Sequence, residues 1–349
     1  VRASAIDGNG DIVSIRDIRT GRETLSGPMQ LELLPDSPND YPQWEIRYED
    51  IMAPPRTVAG PAKVTVIEQG PVRATLRVER KSGGSVFVQD IHLTAAGRRV
   101  DVENRIDWQE RKTLLKAGFP LKAANPKAVY DLGLGTIERG DNTANLYEAP
   151  GQQWAEITDS SGGFGTAVLN DCKYGWDKPS GDKLRLTLIH TPETRPELQG
   201  SDIGDETLDT GMNRVTYSVY PHAGDWRKAG VVWEAACLNQ PLTAMQTVIH
   251  AGTLGKSVGF FRISDPAVAL MALKQAESGD RLVLRVRELN GAAARRVSCA
   301  FPGSKITQAS ELNGIEEQTG PASSKGGELS FEIGPYQVKT FSVALEASR

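Results

Sequence analysis

The sequence predicts an all-β protein of two bodies, a large one followed by a smaller one. Three observations predict it. Short β-rich runs follow one another along the chain, and most interleave polar and apolar residues, as a strand reads when one face is buried and the other wet. Gly, Pro, Asn or Asp bound many of these runs. Helical periodicity is almost absent and no βαβ alternation occurs, which disfavours a parallel α/β fold.

Residues 12–15 open the series. Residues 62–67 and 74–80 come next, the second run alternating. Residues 85–93, 99–107, 183–189 and 214–220 continue it. Residues 241–250 read as a short helix or a linker, so a boundary is placed near residue 250. This gives one domain over 1–250 and a second over 251–349. In the second, runs at 257–263, 268–274, 281–288, 296–301 and 338–345 are separated by turns such as Ser278-Gly279-Asp280. Regular short strands with such turns predict a smaller sandwich. No repeat of fixed period is present.

The net charge of −4 carries no large run of one sign. Basic residues come as doublets, Arg98-Arg99, Arg111-Lys112 and Arg295-Arg296, which read as solvated surface. A nucleic-acid partner is therefore not expected. No apolar run reaches the ~20 residues that cross a bilayer, so no membrane partner is expected either. The start, Val1-Arg2-Ala3-Ser4, lacks Met and an apolar signal segment, and reads as an excised domain or a processed product. The three cysteines, Cys172, Cys237 and Cys299, are odd in number and widely spaced. That argues against a disulfide framework and against a cysteine zinc site. It fits a reducing compartment, so a cytoplasmic location is expected, with a secreted or periplasmic one left open.

No GxSxG elbow, P-loop, GxGxxG after a strand or HExxH helix occurs. His92, His190, His222 and His250 stand at no metal-ligand spacing. His222 follows Tyr220-Pro221 and precedes Ala223-Gly224-Asp225-Trp226, so it sits where a strand ends and the chain turns. It reads either as a substrate-facing group or as a structural histidine. Glycosidases need two carboxyl groups astride the scissile bond. Asp107 with Glu110, Glu138 with Asp141, and Asp171 with Asp177 have local context, but each pair reads as well as turn caps or salt-bridge partners. The densest constellation runs over 169–177 and joins Asn170, Asp171, Lys173 and Asp177 to Tyr174 and Trp176. Amide, carboxylate and ammonium groups meet sugar hydroxyls, and an aromatic ring meets the apolar face of a pyranose. The same run reads equally as a polar hairpin, with Asn170 and Asp171 capping the turn and Gly175 supplying its conformation.

Residues 106–121, with Asp107-Trp108-Gln109-Glu110-Arg111 and Leu114-Leu115-Lys116-Ala117-Gly118-Phe119-Pro120-Leu121, resemble the DWxERxxLLKxxFPL stretch of the family-38 α-mannosidases. Residues 130–139, Gln152-Gln153-Trp154-Ala155, the run 168–175 and Tyr220-Pro221-His222-Ala223-Gly224-Asp225-Trp226 resemble the same family. So do 272–277, 285–291 and 338–341 near the end, and the order is kept from Gly10-Asp11-Ile12 onward. The resemblance implies a large antiparallel β-supersandwich, of the kind shared with galactose mutarotases, followed by a smaller β-sandwich. In the family these follow an α/β-barrel-like domain and a helical bundle, which carry the aspartate nucleophile and most ligands of a zinc ion. This sequence holds no such segment, so no catalytic residue and no metal ligand are assigned to it, and the chain by itself is expected to be inactive. The implied parent is a retaining α-mannosidase that hydrolyses terminal α-mannosides with zinc. Its implied partners are mannose-containing glycans and the N-terminal catalytic domain of the same polypeptide.

Tyr130 lies where an active-site tyrosine of the family comes from, which completes the expected substrate-binding set: Tyr130, Asn170, Asp171, Lys173, Tyr174, His222 and Asp225. Three departures bear on substrate preference. Asn213 stands where the family often has histidine, Trp176 replaces a more usual tyrosine, and Tyr41-Pro42-Gln43-Trp44 only partly matches a WDAW-like segment. Two other functions remain open: a stand-alone carbohydrate-binding module, and a mutarotase-like epimerase that uses His222 or His92 with a carboxylate.

Overall fold

The computed structural model describes residues 2–58, 60–195, 197–198, 208–293 and 295–347. The chain divides into two compact units, Val1–Leu242 and Thr243–Arg349. The boundary thus lies at 242/243, against the 250 read from the sequence. Residues 241–250 are exposed and carry no regular structure, which fits the linker alternative for that stretch and not the helical one. The helix lies just before it, at Val231–Asn239, where Val231 and Ala235 are buried one turn apart.

Two large sheets build the first unit. The nine-stranded sheet runs in the order Thr136–Arg139, Ala128–Asp131, Trp154–Thr158, Phe164–Asn170, Gly211–Ala223, Val100–Trp108, Ser85–Thr94, Arg73–Ser82, Lys63–Gln69. The six-stranded sheet runs Ala149–Pro150, Gly175–Ser180, Lys183–Thr191, Thr113–Pro120, Gln30–Pro35, Arg56–Thr57. The pairings in both are antiparallel. Period-two patterning explains why these segments are strands. In Val100–Trp108, Val100, Val102, Ile106 and Trp108 point one way into the core, while the intervening side chains are part-exposed. The facing sheet supplies Leu115, Ala117, Phe119, Leu184, Leu186 and Leu188 to the same core.

Asn104 lies inside that apolar layer at full burial. Its amide donates to the carbonyls of Val102 at 3.1 Å and Val215 at 3.0 Å, and it accepts from Gln89 at 2.8 Å. Gln89 in turn accepts from Arg80, whose guanidinium also donates to Asp11 at 2.6 Å. A buried polar chain is tolerated when its members find partners, and of these groups only Arg80 Nε lacks one.

Parts of the outer faces are covered as well. Helices Trp226–Ala229 and Val231–Asn239 lie on the nine-stranded sheet, where Trp226 packs on Trp154 with ring centroids 5.0 Å apart. Asp225 caps the first helix, accepting from the Lys228 amide at 2.9 Å. Gly230, at φ 69°, ends that helix in the left-handed region that glycine adopts without penalty. Helix Tyr48–Met52 covers the six-stranded sheet, with Ile51 against Leu34 and Leu114.

The second unit is a smaller pair of sheets. One has the order Arg262–Ile263, Arg295–Ala300, Glu328–Ile333, Ser323–Lys325, and the other Val268–Gln275, Leu282–Glu288, Val338–Ala347, Ser304–Leu312, Gln318–Pro321. Leu284, Val286, Val297, Cys299, Phe331, Phe341 and Val343 fill its core. Of the run 257–263 read as a strand, only Arg262–Ile263 pairs.

Candidate functional site

The strand Phe164–Asn170 sorts the expected site residues into two groups. At its far end lies Asn170, opposite Tyr217, and near its start lies Gly165, opposite His222. Five residues separate Asn170 from Gly165, about 17 Å along an extended strand. The sequence-derived set is therefore split, with Tyr130, Asn170, Asp171, Lys173 and Tyr174 at one end and His222 and Asp225 at the other.

At the first end, Asn170 is buried and spends its side chain on the backbone. Its amide nitrogen donates to the Gln152 carbonyl at 2.9 Å. Its oxygen accepts from the amides of Cys172 at 3.1 Å and Lys173 at 2.7 Å. This is the turn-capping role, and it freezes the 171–174 loop. Asp171 ties the loop down again by accepting from the Thr216 amide at 3.0 Å. Tyr174 is left with 55% of its surface in solvent, and Lys173 is half-buried. The Tyr174 carbonyl accepts from the Gly151 amide at 3.0 Å, which brings the 149–153 turn alongside. Tyr130 lies beneath, buried against Gly151. Burial, with the Asp177 charge next in weight, pushes its phenol well above the usual range.

Behind this loop the outer face of the six-stranded sheet carries a buried ion cluster. Thr113–Pro120 is buried on both faces: Leu115, Ala117 and Phe119 face the core, and Lys116 faces outward, yet at 0% exposure. Its ammonium meets Asp177 at 2.9 Å, Glu148 at 2.6 Å and the Thr187 hydroxyl at 2.7 Å. Asp177 also accepts from Arg185 at 2.6 Å and from Asn142 at 2.8 Å. Arg185 continues to the Ile51 carbonyl at 2.7 Å and faces Glu32 at 3.5 Å. Burial pushes the Asp177 carboxyl upward, but Lys116 and Arg185 outweigh it and hold it below its ordinary value.

At the second end, Asp225 is the helix cap described above. His222 donates from Nδ1 to the Gly224 carbonyl at 3.1 Å, and its Nε2 faces Glu156 Oε1 at 3.4 Å. Both side chains are buried. Gly165 makes this approach possible, since a Cβ there would overlap Glu156 and His222. Glu156 stands out in no sequence motif: it is the single acidic residue of a short apolar strand and reads as a surface position.

Of the carboxylates weighed in the sequence, all but Glu110, whose Oε1 is buried without a hydrogen-bond partner, have structural partners, Asp171 through the Thr216 amide. Asp107 accepts from Gln109, Glu138 pairs with Lys127 at 3.2 Å, Asp141 pairs with Lys178, and Asp177 belongs to the ion cluster. Glu110 lies against the tight turn at Gly83. The histidines go to separate partners: His92 to Thr75 at 2.9 Å, His190 to Asp36 at 3.1 Å, His250 to the Ala251 carbonyl at 3.0 Å. All three cysteines are free thiols. Among the described residues no three His, Cys, Asp or Glu side chains gather around a cation position, and no helix is long and apolar enough to cross a membrane. The described residues do not fit a zinc ion.

Comparison with known proteins settles the relationship. Residues 3–196 match the glycosyl hydrolases family 38 C-terminal domain, and residues 267–341 match the glycosyl hydrolases family 38 C-terminal beta sandwich domain. The chain belongs to glycosyl hydrolase family 38. It is 29% identical over 96% of its length to alpha-mannosidase G of Dictyostelium discoideum, covering 31% of that protein. It is 28% identical over 98% of its length to alpha-mannosidase 2C1 of Mus musculus, covering 33% of it. The chain thus spans about a third of the length of these family-38 relatives. An alpha-mannosidase from Enterococcus faecalis shares the fold, with a TM-score of 0.77 over 97% of this chain and 40% of that one at 16% identity. A second family-38 structure from that organism gives 0.79 over 97% and 42%, also at 16% identity.

Proposed function

We propose that this chain is the cleft-framing β portion of an α-mannosidase that hydrolyses terminal α-mannosides. The observation that carries the reading is the 171–174 loop, which is rigidly based and open to solvent at Tyr174. Asn170 fixes it through three backbone hydrogen bonds, and Asp171 adds a fourth. Tyr174 and Lys173 are presented on that base, an aromatic plane beside an ammonium, the pairing that meets a pyranose face and its hydroxyls. Its contribution to catalysis is positioning, which lowers the barrier by holding substrate where other groups react. The buried Lys116–Asp177–Arg185 cluster stiffens the sheet behind it.

The acid, the nucleophile and the zinc ion belong to the N-terminal catalytic domain of the same polypeptide in this reading. The substrates are mannose-containing glycans. Three free cysteines support a cytoplasmic site of action. The test is hydrolysis of 4-nitrophenyl α-mannoside by this chain and by the full-length gene product with zinc. Turnover is expected only from the latter; turnover by the chain alone overturns the division of labour.

A further inference from the structure

We propose that the outer face of the nine-stranded sheet carries a second sugar-binding pocket, which takes one neutral monosaccharide unit and anchors a hydroxyl on Glu156. The pocket has a volume of about 310 Å³ and is bordered by Lys127, Val129, Glu138, Glu156, Trp226 and Arg227. That size is at the lower end of small-molecule sites and suits a single ring rather than a chain of sugars. It lies at the His222 end of the strand Phe164–Asn170, about 17 Å from the Tyr174 loop by strand rise, and it does not rest on the mannosidase reading.

Strand alternation puts Glu156 on this face. Ala155 and Ile157 belong to the core between the sheets, so Trp154, Glu156 and Thr158 face the other way, toward Trp226. The Glu156 side chain is 0% exposed. Its Oε1 accepts from the Thr158 hydroxyl and faces His222, whereas its Oε2 has no protein partner. A buried carboxylate oxygen without a donor is uncommon, because such atoms lose water on burial and must regain a hydrogen bond. An oxygen that only accepts calls for a donor on the ligand, and a hydroxyl provides one.

The surrounding charges narrow the ligand class. Lys127 pairs with Glu138 at 3.2 Å, Arg227 stacks over the Trp226 ring at 4.2 Å, and Asp225 is used as a helix cap. Lys127 and Glu138 offset each other at the rim, so the feature left to meet a ligand is the acceptor oxygen of Glu156, which a neutral hydroxyl satisfies. Val129 and Trp226 give the pocket an apolar side, which suits the C–H face of a sugar.

The test is saturation-transfer NMR and calorimetric titration of the whole chain with D-mannose, D-glucose, D-galactose and D-xylose into the millimolar range. At least one sugar is expected to bind saturably. Glu156→Gln, which keeps the shape and removes the charged acceptor, is expected to weaken that binding about tenfold or more. Glu156 is buried, so Lys127→Ala with Arg227→Ala on the exposed rim provides a second variant, expected to weaken it several-fold. Ile315→Ala, at an exposed position of the second unit, is expected to leave it unchanged. Absence of saturable binding for all four sugars overturns the proposal. So does binding that survives both the Glu156 and the rim variants, or binding that Ile315→Ala abolishes.

Discussion

The Lys116 ammonium stands 2.9 Å from the Asp177 carboxylate, and neither side chain is exposed to water. Such a pair is held by mutual need: each ion lost its hydration on folding, and each would be costly alone. Removing one partner is therefore the damaging change. Asp177→Asn leaves Lys116 with Glu148 and Thr187, and leaves Arg185 with Glu32 and the Ile51 carbonyl. Those residual partners place the cost at the lower end of the range for broken buried pairs, about 3 kcal/mol. Urea unfolding followed by tryptophan fluorescence checks it, as a lowered midpoint at unchanged slope.

Acid stability has a separate source at Asp90. Arg77 donates two hydrogen bonds to it, each at 2.8 Å, and Arg105 a third at 2.8 Å. The Arg77 bonds, with help from Arg105, outweigh burial and hold the carboxyl down at about 2. In the unfolded chain an aspartate titrates near ~3.9. A depressed folded value means the unfolded state takes up the proton first, so this stabilisation is complete above about pH 4 and is lost as pH falls toward about 2. Arg77→Ala is expected to shrink the pH dependence of the urea midpoint across that window and to leave a lower, flatter curve.

Much of the fold was legible because burial follows the period of the sequence. Residues 74–80, 85–93, 99–107, 183–189 and 214–220 alternate, and each falls inside a strand: Arg73–Ser82, Ser85–Thr94, Val100–Trp108, Lys183–Thr191 and Gly211–Ala223, apart from Arg99 at the margin. What escaped was whatever depends on a second layer. The helix Val231–Asn239 opens with two valines, residues that read as strand until the Trp154 and Tyr220 face is present to receive them. Lys116 and Glu156 look like the wet positions of half-buried strands, and only the covering segments make them interior. Asn170 reads equally as a sugar contact or a turn cap from sequence; its oxygen takes the Cys172 and Lys173 amides of the turn, and its amide donates to the Gln152 carbonyl. His222 and Asp225 sit in one motif of the sequence, but strand register carries that motif to the opposite end from Asn170.

Gly151 is required by its neighbours rather than by its own backbone angles. A Cβ at this position would stand 2.8 Å from Trp176 Cδ1 and 2.9 Å from its Nε1. Trp176 is fully buried and its Nε1 donates to the Gly151 carbonyl at 3.3 Å, so the ring has little room to retreat. Gly151→Ala is expected to cost about 1–3 kcal/mol as overpacking. Near-ultraviolet circular dichroism should change with it, because the displaced chromophore is a tryptophan.

Cys172 lies in the same loop as Tyr174 but should be a slow thiol. Burial pushes it up to about 11, and Asp171 beside it adds to the shift. The thiolate is the reactive form, and an unperturbed cysteine ionises near ~8.5, so alkylation of Cys172 at neutral pH is expected to run on the order of a hundredfold slower than for a free thiol. Its rate should climb about tenfold per pH unit through the neutral range. Asp171→Asn should speed it. Iodoacetamide labelling followed by peptide mass spectrometry at several pH values reads all three effects.

Tyr174 separates a role in binding from a role in folding. Its ring is 55% exposed, and the contact that anchors the loop at this residue uses its carbonyl rather than its side chain. Tyr174→Ala is therefore expected to change stability by no more than about 0.5 kcal/mol. If the ring forms part of the mannoside cleft, the full-length enzyme loses a stacking contact of about 1 kcal/mol, which is roughly fivefold. Held equally in ground and transition states, that contact appears as a raised KM with kcat nearly unchanged. Tyr174→Phe should restore the wild-type KM if the ring face is what the sugar meets. Steady-state kinetics on 4-nitrophenyl α-mannoside decides it: an unchanged KM in a folded Tyr174→Ala enzyme removes this loop from the substrate cleft.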